Sequence, residues 1–360
     1  CFFLSESVLG CWWMLVGEGL RGVGFLSAAA HVGSADSTTR LLLSVVLSLL
    51  PVSGASILFF GPSALLVLLA AVAGCLVTER LFGDRSDSLA DGSAMITGLL
   101  LGLCLPAGFP LWMAFIGGVF GIVFVKIVLG VVGQNIFNPA LLGRAFLQAA
   151  FPVAITTWPG RAADWWALRG DNFALPLMSP GEVDAVTGAT PLGELKFGDD
   201  PVITPVLDLF LGTTGGSLGE TSALLILLGG IYLAIRGHLN WHIPVSILLS
   251  VFVFSGLFYA LDWSPFSPVF MLFSGGLMLG AWYMATDMVT SPVTNKGCWI
   301  FGVSIGLLVV IIRIWGGLPE GVMYAILLMN ALVPFINRAT QPRKFGTVKP
   351  DRNAVPEEES

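Results

Sequence analysis

Long apolar runs recur along this chain, and they restrict its fold more than any other feature. A helix that crosses a bilayer needs about 20 mostly apolar residues. Ten such runs, bounded by polar residues, glycine or proline, cover approximately 40–59, 62–82, 93–108, 111–131, 139–157, 220–236, 241–261, 266–286, 298–315 and 319–337. Only 11% of the residues are charged, against about 25% in soluble domains, which is too few to cover a water-facing surface. The sequence therefore predicts an all-α, polytopic protein of the lipid bilayer and excludes a soluble enzyme.

The positions of the basic residues support ten spans. Cytoplasmic loops carry the excess of lysine and arginine in membrane proteins. With ten spans and both termini cytoplasmic, the following basic residues fall on one side: Arg21, Arg40, Arg80, Arg85, Arg236, Lys296, Arg338, Arg343, Lys344, Lys349 and Arg352. The opposite loops at 106–110, 262–265 and 316–319 contain neither lysine nor arginine. The formal net charge of −6 gives no basic footprint for nucleic acid, so a nucleic-acid partner is excluded.

One long hydrophilic loop divides the spans into two groups of five. Because five is odd, a duplicated unit would insert in opposite orientations, as in the inverted repeats of transporters. The segment SAMITGLLLG from Ser93 resembles SGGLMLG from Ser274, although glycine- and leucine-rich helices can resemble each other by chance. The predicted parts are a cytoplasmic or interfacial segment (1–39), a first five-helix repeat (40–157), an outer loop (158–219), a second five-helix repeat (220–337) and a cytoplasmic tail (338–360).

The outer loop contains the segment DAVTGATP, from Asp184 to Pro191. On residue chemistry alone it is a turn, because Thr-Gly is common in loops and Pro191 restricts Thr190 to extended geometry. Neither a catalytic base nor a phosphate-binding glycine-rich loop accompanies the threonines. The loop by itself therefore assigns no reaction.

The loop motif and several other stretches resemble the NqrB/RnfD family. The motif has the pattern Asp-x-x-[Ser/Thr]-Gly-Ala-Thr, and the resemblance covers nearly the whole chain beyond about residue 31. Further matching stretches are GQNIFNPA from Gly133, GRAF from Gly143, MATDMVTSPVT from Met284, PEGV from Pro319 and LMNA from Leu328. These proteins are membrane subunits of the sodium-pumping NADH:quinone oxidoreductase and of the related Rnf ferredoxin:NAD oxidoreductase. The chain length and the ending TQPRKFG favour the RnfD branch, while the N-terminal extension keeps the NqrB branch open.

The resemblance implies a covalent cofactor on the outer face. In the family, a flavin transferase esterifies the last threonine of the motif with the phosphate of FMN, and that residue is Thr190 here. Asp184, Gly188 and Ala189 would belong to the part that the transferase recognises. Thr187 stands where serine is usual and is a second candidate acceptor.

The resemblance also implies the protein's role and its partners. It predicts an electron-carrying subunit of a redox-driven Na⁺ or H⁺ pump in the cytoplasmic membrane of a prokaryote. A second covalent-FMN subunit and iron–sulfur subunits would be its partners and would hold the NAD and ferredoxin chemistry. We predict no catalytic or metal-ligating residue within this chain, since its five cysteines form no CxxC pair. A passive channel or secondary transporter without a redox cofactor is the competing class.

Three polar residues on the spans have both a structural and a functional interpretation. Asn135 and Asn138 precede a helix that starts at a proline, so they could cap that helix. An amide can also match the edge of a flavin, and the resemblance implies a non-covalent riboflavin here. Arg144 could neutralise a flavin or pair with an acidic residue.

Further ionisable residues lie near the predicted inner ends of the spans. Asp287 is a candidate for ion coupling, because ionisable residues at membrane depth are often functional; the alternative is a cap for the loop 290–294. Glu79 and Arg80 are expected to pair with each other or to face water. Lys126 is expected to extend its ammonium group to the inner face.

Overall fold

The computed structural model describes residues 38–83, 92–130, 135–159, 165–168, 170–176, 190–198, 204–212, 214–220, 222–317 and 320–342. In these ranges the protein is helical and has no β-strand. Every one of the ten predicted apolar runs contains helix, so the all-α, polytopic fold class is confirmed. Nearly all of the predicted N-terminal segment and most of the predicted tail lie outside the described residues.

Fourteen α-helices are seen in the described part of the chain. They are α1 (Thr38–Phe60), α2 (Pro62–Phe82), α3 (Ser93–Leu103), α4 (Leu111–Ile122), α5 (Pro139–Ala150), α6 (Pro152–Thr156), α7 (Pro191–Phe197), α8 (Val206–Leu211), α9 (Ala223–Ile235), α10 (His242–Ala260), α11 (Pro268–Phe273), α12 (Leu277–Leu279), α13 (Asn295–Trp315) and α14 (Val322–Thr340). Helices α4 and α12 continue as π-helical turns, Val123–Val128 and Gly280–Met284. A short 3₁₀ turn, Leu218–Glu220, precedes α9.

Six helices in the described ranges are long and apolar enough to cross a membrane: α1, α2, α4 with its π-helical turn, α10, α13 and α14. The other four predicted spans are short or interrupted. Helices α3 and α9 have only 11 and 13 residues, and the fifth run is divided into α5 and α6 just before Pro152. The total of ten spans therefore stays a prediction.

The eighth predicted span is interrupted at its centre, where a single helix over 266–286 was expected. Helix α11 ends at Phe273, and Gly275 has a left-handed backbone with φ of +67°. A residue in that conformation cannot continue a right-handed helix, and glycine adopts it without steric cost. The chain resumes as α12 three residues later, which leaves Ser274, Gly275 and Gly276 as non-helical backbone inside the helical body. We call these three residues the helix break.

The helices pack in a matched pattern in the two halves. The second and fourth helices of each half make the two most extensive contacts, α2 with α4 and α10 with α13. Small residues allow this approach: a Cβ at Gly74 would lie 2.3 Å from the carbonyl oxygen of Phe115, and one at Gly302 would lie 1.7 Å from Ser246 Oγ. The pairs α4–α5 and α13–α14 also correspond. A duplicated five-helix unit would produce this pattern, and the inverted repeat itself stays a prediction.

Candidate functional site

Thr190 is held in a defined position at the start of α7. Its backbone is extended (φ −65°, ψ 149°), as the following proline predicts. Its Oγ1 accepts a hydrogen bond from the backbone N–H of Gly193 at 3.1 Å and so caps the helix. The residue is only 4% exposed. The rest of the motif, including Asp184, Thr187, Gly188 and Ala189, lies outside the described residues.

Helix α7 is anchored to the end of α13 through Lys196. The Lys196 ammonium donates hydrogen bonds to the carbonyl oxygens of Gly316 at 2.5 Å and Ile312 at 3.3 Å. Both carbonyl oxygens lie at the C-terminus of α13, where a cation is favoured. Partial burial lowers the pKa of this ammonium group. The anchor fixes where α7, and therefore Thr190, stands relative to the membrane helices.

A pocket of about 400 Å³ lies beside Thr190. Its wall brings together Thr190, Arg144 from α5 and Glu320 from the segment before α14, with aromatic side chains from three separate parts of the chain. These aromatic residues are Trp158, Phe197 and Tyr324. The volume lies within the range of small-molecule sites, about 300–1,000 Å³. Two of the predicted site residues, Thr190 and Arg144, therefore face the same cavity.

Arg144 pairs with an acidic residue, which is one of the two roles considered for it. Its guanidinium forms an ion pair with the carboxylate of Glu320. Arg144 is 8% exposed, and its Nε is buried without a hydrogen-bond partner among the described residues. Guanidinium groups present several fixed N–H donors. Arg144 consequently keeps one N–H donor without a partner among the described residues.

The helix break lies among four charged side chains. A Cβ added to Gly276 would lie 3.7 Å from Glu220 Oε1 and 3.8 Å from Arg144 Nη1. One added to Gly275 would lie 3.1 Å from Arg313 Nη2 and 3.9 Å from Glu320 Cγ. The Arg313 guanidinium is fully buried and donates to the carbonyl oxygens of Met271 at 2.5 Å and Ser274 at 2.8 Å. These carbonyls are freed by the end of α11, so the break supplies the acceptors that a buried guanidinium needs.

Asn138 acts as a helix cap, so the structural interpretation of this residue is confirmed. Its Oδ1 accepts from the N–H groups of Ala140 at 3.0 Å and Leu141 at 3.4 Å, and its Nδ2 donates to Met284 O at 3.2 Å. The amide thereby joins α5 to the end of the interrupted span. Asn135, three residues earlier, is half-buried. A riboflavin at these asparagines stays a prediction.

Asp287 organises the loop that follows it, which confirms the capping interpretation. Its Oδ1 accepts from Val289 N and its Oδ2 from Thr290 Oγ1, both at 3.3 Å. Short polar side chains stabilise turns in this way. A role of Asp287 in ion coupling stays a prediction.

The expectation that Glu79 pairs with Arg80 or faces water was wrong. Lys126 Nζ forms an ion pair with Glu79 Oε1 at 2.8 Å and donates to Ser93 Oγ at 2.7 Å, and the Glu79 side chain is buried. Consecutive helix residues do not face each other, so Glu79 turns away from Arg80. The packing of α2 on α4 brings Lys126 to Glu79, and an extension of Lys126 to the inner face stays a prediction.

Three residues near the pocket were not among the predicted site residues: Glu220, Arg313 and Glu320. Glu220 was grouped with the acids of the outer loop, and Glu320 was only part of a matching stretch. Arg313 lies in an otherwise apolar span, which is a functional signal for an ionisable residue at membrane depth. Their convergence on the helix break depends on tertiary packing, which the sequence does not display.

The chain matches a family model described as NQR2, RnfD, RnfE family over residues 25–346. It is 41% identical over 342 residues to the D subunit of the proton-translocating ferredoxin:NAD(+) oxidoreductase complex of Clostridium ljungdahlii, covering 91% of this chain and 97% of the relative. It is 39% identical to the D subunit of the Na(+)-translocating ferredoxin:NAD(+) oxidoreductase complex of Acetobacterium woodii, with 91% and 97% covered. The D subunit of an ion-translocating oxidoreductase complex of Stutzerimonas stutzeri is 41% identical, with 86% and 93% covered.

Proposed function

Because the chain belongs to the NQR2, RnfD and RnfE family of membrane proteins, we propose that it is the D subunit of an ion-translocating ferredoxin:NAD oxidoreductase complex. The relatives that carry this name are covered over 97% of their length, which supports the proposal. We place the complex in the cytoplasmic membrane of a prokaryote, with both termini cytoplasmic and residues 158–219 on the outer face. The charge pattern of the loops supports this orientation.

Within that complex the chain is an electron carrier, with FMN esterified through its phosphate to Thr190. The observation that carries this proposal is that Thr190 and Arg144 line one pocket. The Arg144 guanidinium belongs to the pocket wall and suits a phosphate oxygen or a flavin carbonyl, because guanidinium groups bind such acceptors with charge assistance. Trp158, Phe197 and Tyr324 supply flat apolar surface for an aromatic ring. The residues present therefore fit the group.

The protein's own contribution is position and electrostatics. Bound FMN would supply the redox chemistry. The Thr190 cap and the Lys196 anchor hold the attachment point still, and Arg144 offers positive charge to the pocket. A covalent link prevents loss of the cofactor from a site that opens toward water. The NAD chemistry, the iron–sulfur clusters and a second covalent FMN belong to partner subunits, and a flavin transferase matures this one.

In-gel fluorescence tests the attachment. The wild-type protein, produced with its complex and its flavin transferase, is expected to fluoresce under ultraviolet light after denaturing electrophoresis. Thr190→Ala is expected to abolish the signal, whereas Thr187→Ala retains it. Thr156 also lines the pocket, so Thr156→Ala is a matched control that keeps the fluorescence.

Two results would contradict the proposal. A wild-type protein without fluorescence, despite a competent transferase, excludes a covalent flavin and leaves a channel or a structural subunit. Fluorescence that survives in Thr190→Ala and is lost in Thr187→Ala moves the attachment to Thr187. The mass of the peptide around Thr190 gives an independent reading, because an FMN ester adds the mass of the nucleotide less one water.

A further inference from the structure

A segment of the predicted outer loop, residues 165–168 and 170–176, covers a polar side chain and exposes apolar ones. Asn172 is 2% exposed, and its Nδ2 donates to the carbonyl oxygens of Ala107 and Phe109, both at 3.1 Å. Trp166, in contrast, is 75% exposed and Phe173 is 64% exposed. A contiguous exposed apolar surface of this kind indicates contact with an apolar partner. We call the exposed side chains of the segment the apolar patch: Trp165, Trp166, Leu168, Phe173 and Leu175.

Backbone hydrogen bonds hold the segment against the ends of the membrane helices. Asp171 N donates to the carbonyl oxygen of Gly108, in the connection between α3 and α4, at 3.2 Å. Leu111 N, at the start of α4, donates to the carbonyl oxygen of Asn172 at 3.0 Å. Together with the bonds of the Asn172 amide, these contacts fix the orientation of the segment. The apolar patch cannot turn inward unless they break.

The length of α1 sets the depth of the apolar patch. This helix, Thr38–Phe60, has 23 residues and is therefore about 34 Å long, close to the hydrocarbon thickness of about 30 Å. Each end of α1 consequently lies near a boundary between acyl chains and headgroups. The indole Nε1 of Trp165 donates to the carbonyl oxygen of Leu58, near the end of α1, at 3.2 Å. Trp165 therefore lies at that boundary, where tryptophan is enriched in membrane proteins.

The apolar patch continues the lipid-facing surface of α1. Leu47 and Leu58 lie on one face of this helix, and both side chains are exposed. Since Leu58 is also the residue that binds Trp165, the two surfaces meet at this point. A docking surface for a water-soluble protein domain has a polar rim. Among the described residues of the segment, the carboxylate and amide side chains are Asp171, half-buried, and Asn172, buried, so they form no such rim.

We propose that the apolar patch is a binding surface for phospholipid, inserted at the headgroup boundary of the leaflet in which α1 ends. Segments rich in tryptophan, phenylalanine and leucine bind the bilayer surface in this way. The contact attaches to the membrane a part of the loop that precedes Thr190 in the chain. It needs no flavin and depends only on the membrane location of the protein.

Photo-crosslinking identifies what the apolar patch contacts. Trp166 or Phe173 is replaced by p-benzoylphenylalanine, whose excited carbonyl group inserts into neighbouring C–H bonds. The variant complexes are reconstituted into nanodiscs of phosphatidylethanolamine and phosphatidylglycerol and illuminated. The peptide around each position is expected to gain the mass of one phospholipid. The same replacement at Leu47, on the lipid-facing surface of α1, is the reference for lipid contact.

Two results would overturn this assignment. A crosslinked product with another subunit, or within this chain, at Trp166 and Phe173 would make the apolar patch a protein interface. The absence of a lipid product at both positions, where Leu47 gives one, would also exclude lipid contact. The lipid products are expected to persist in Thr190→Ala, so this result and the flavin result are independent.

Hydrogen exchange in the same nanodiscs tests whether the bilayer stabilises the segment. The double variant Trp166→Ser/Phe173→Ser is expected to speed exchange of the Asp171 amide about tenfold, because it loses the apolar contacts that hold the segment closed. The matched control Trp166→Phe/Phe173→Leu stays apolar and is expected to keep the wild-type exchange rate. Unchanged or slower exchange in the serine variant indicates that the patch faces water, and overturns the proposal.

Discussion

Removal of one partner from the ion pair between Arg144 and Glu320 is expected to destabilise the protein more than removal of both. Their side chains are 10% and 16% exposed, so water screens the charge left behind only weakly. A buried charge that loses its partner costs about 3–5 kcal/mol. We therefore expect Arg144→Met and Glu320→Gln each to lower the free energy of unfolding by about that amount.

The double variant Arg144→Met/Glu320→Gln removes the pair without leaving either charge. Replacing both members of a buried ion pair is often close to neutral. Its loss of stability is therefore expected to be smaller than that of either single variant.

Reversible unfolding in mixed micelles with increasing dodecyl sulfate, followed by tryptophan fluorescence, measures these differences. The three variants and the wild type form a double-mutant cycle, and groups in direct contact give a non-additive result. If the loss in the double variant equals the sum of the two single losses, the two residues do not interact.

Two further predictions use the same unfolding assay. Gly302→Ala places a Cβ 1.7 Å from Ser246 Oγ and is expected to lower the free energy of unfolding by about 1–3 kcal/mol through overpacking. Gly54→Ala has open space around its Cβ and is expected to leave the free energy of unfolding unchanged or to raise it by up to about 1 kcal/mol. Equal losses of stability at the two positions would contradict the packing. Asn138→Ala removes the cap of α5 and is expected to lower the free energy of unfolding by about 1 kcal/mol, while Asn138→Asp keeps the acceptor and most of the stability. If both variants lose the same stability, the hydrogen bond that Asn138 donates to Met284 O is more important than the cap.

Features with a local cause were predictable from the sequence. The predicted span 62–82 coincides with α2 because a proline begins the helix and an apolar run of spanning length follows. The extended backbone of Thr190 follows from the proline after it. The interruption at 274–276 was not predicted, because Gly275 and Gly276 lie within a continuous apolar run and a glycine in a helix only weakens it.

Partner choice among charged residues could not be predicted. Glu79 and Arg80 are neighbours in sequence, yet Glu79 pairs with Lys126, 47 positions away. Arg144 and Glu320 are separated by 176 positions and meet only because α5 and α14 pack together. The residue types could be read from the sequence, and the resemblance to a known family indicated Thr190 as the proposed attachment residue. The cluster at the helix break arises from tertiary packing.

A comparison of the two halves sets the helix break against its counterpart in the first half. The two segments that resemble each other begin at Ser93 and Ser274, and in each half a basic residue of the fourth span binds that first residue. Lys126 donates to Ser93 Oγ at 2.7 Å, and Arg313 donates to the carbonyl oxygen of Ser274 at 2.8 Å. Ser93 begins an intact helix, and Lys126 there also pairs with Glu79. Ser274 begins a break, whose free carbonyls bind Arg313 without neutralising it. The second half therefore keeps a positive charge without an ion-pair partner among the described residues, close to Glu320 of the pocket wall.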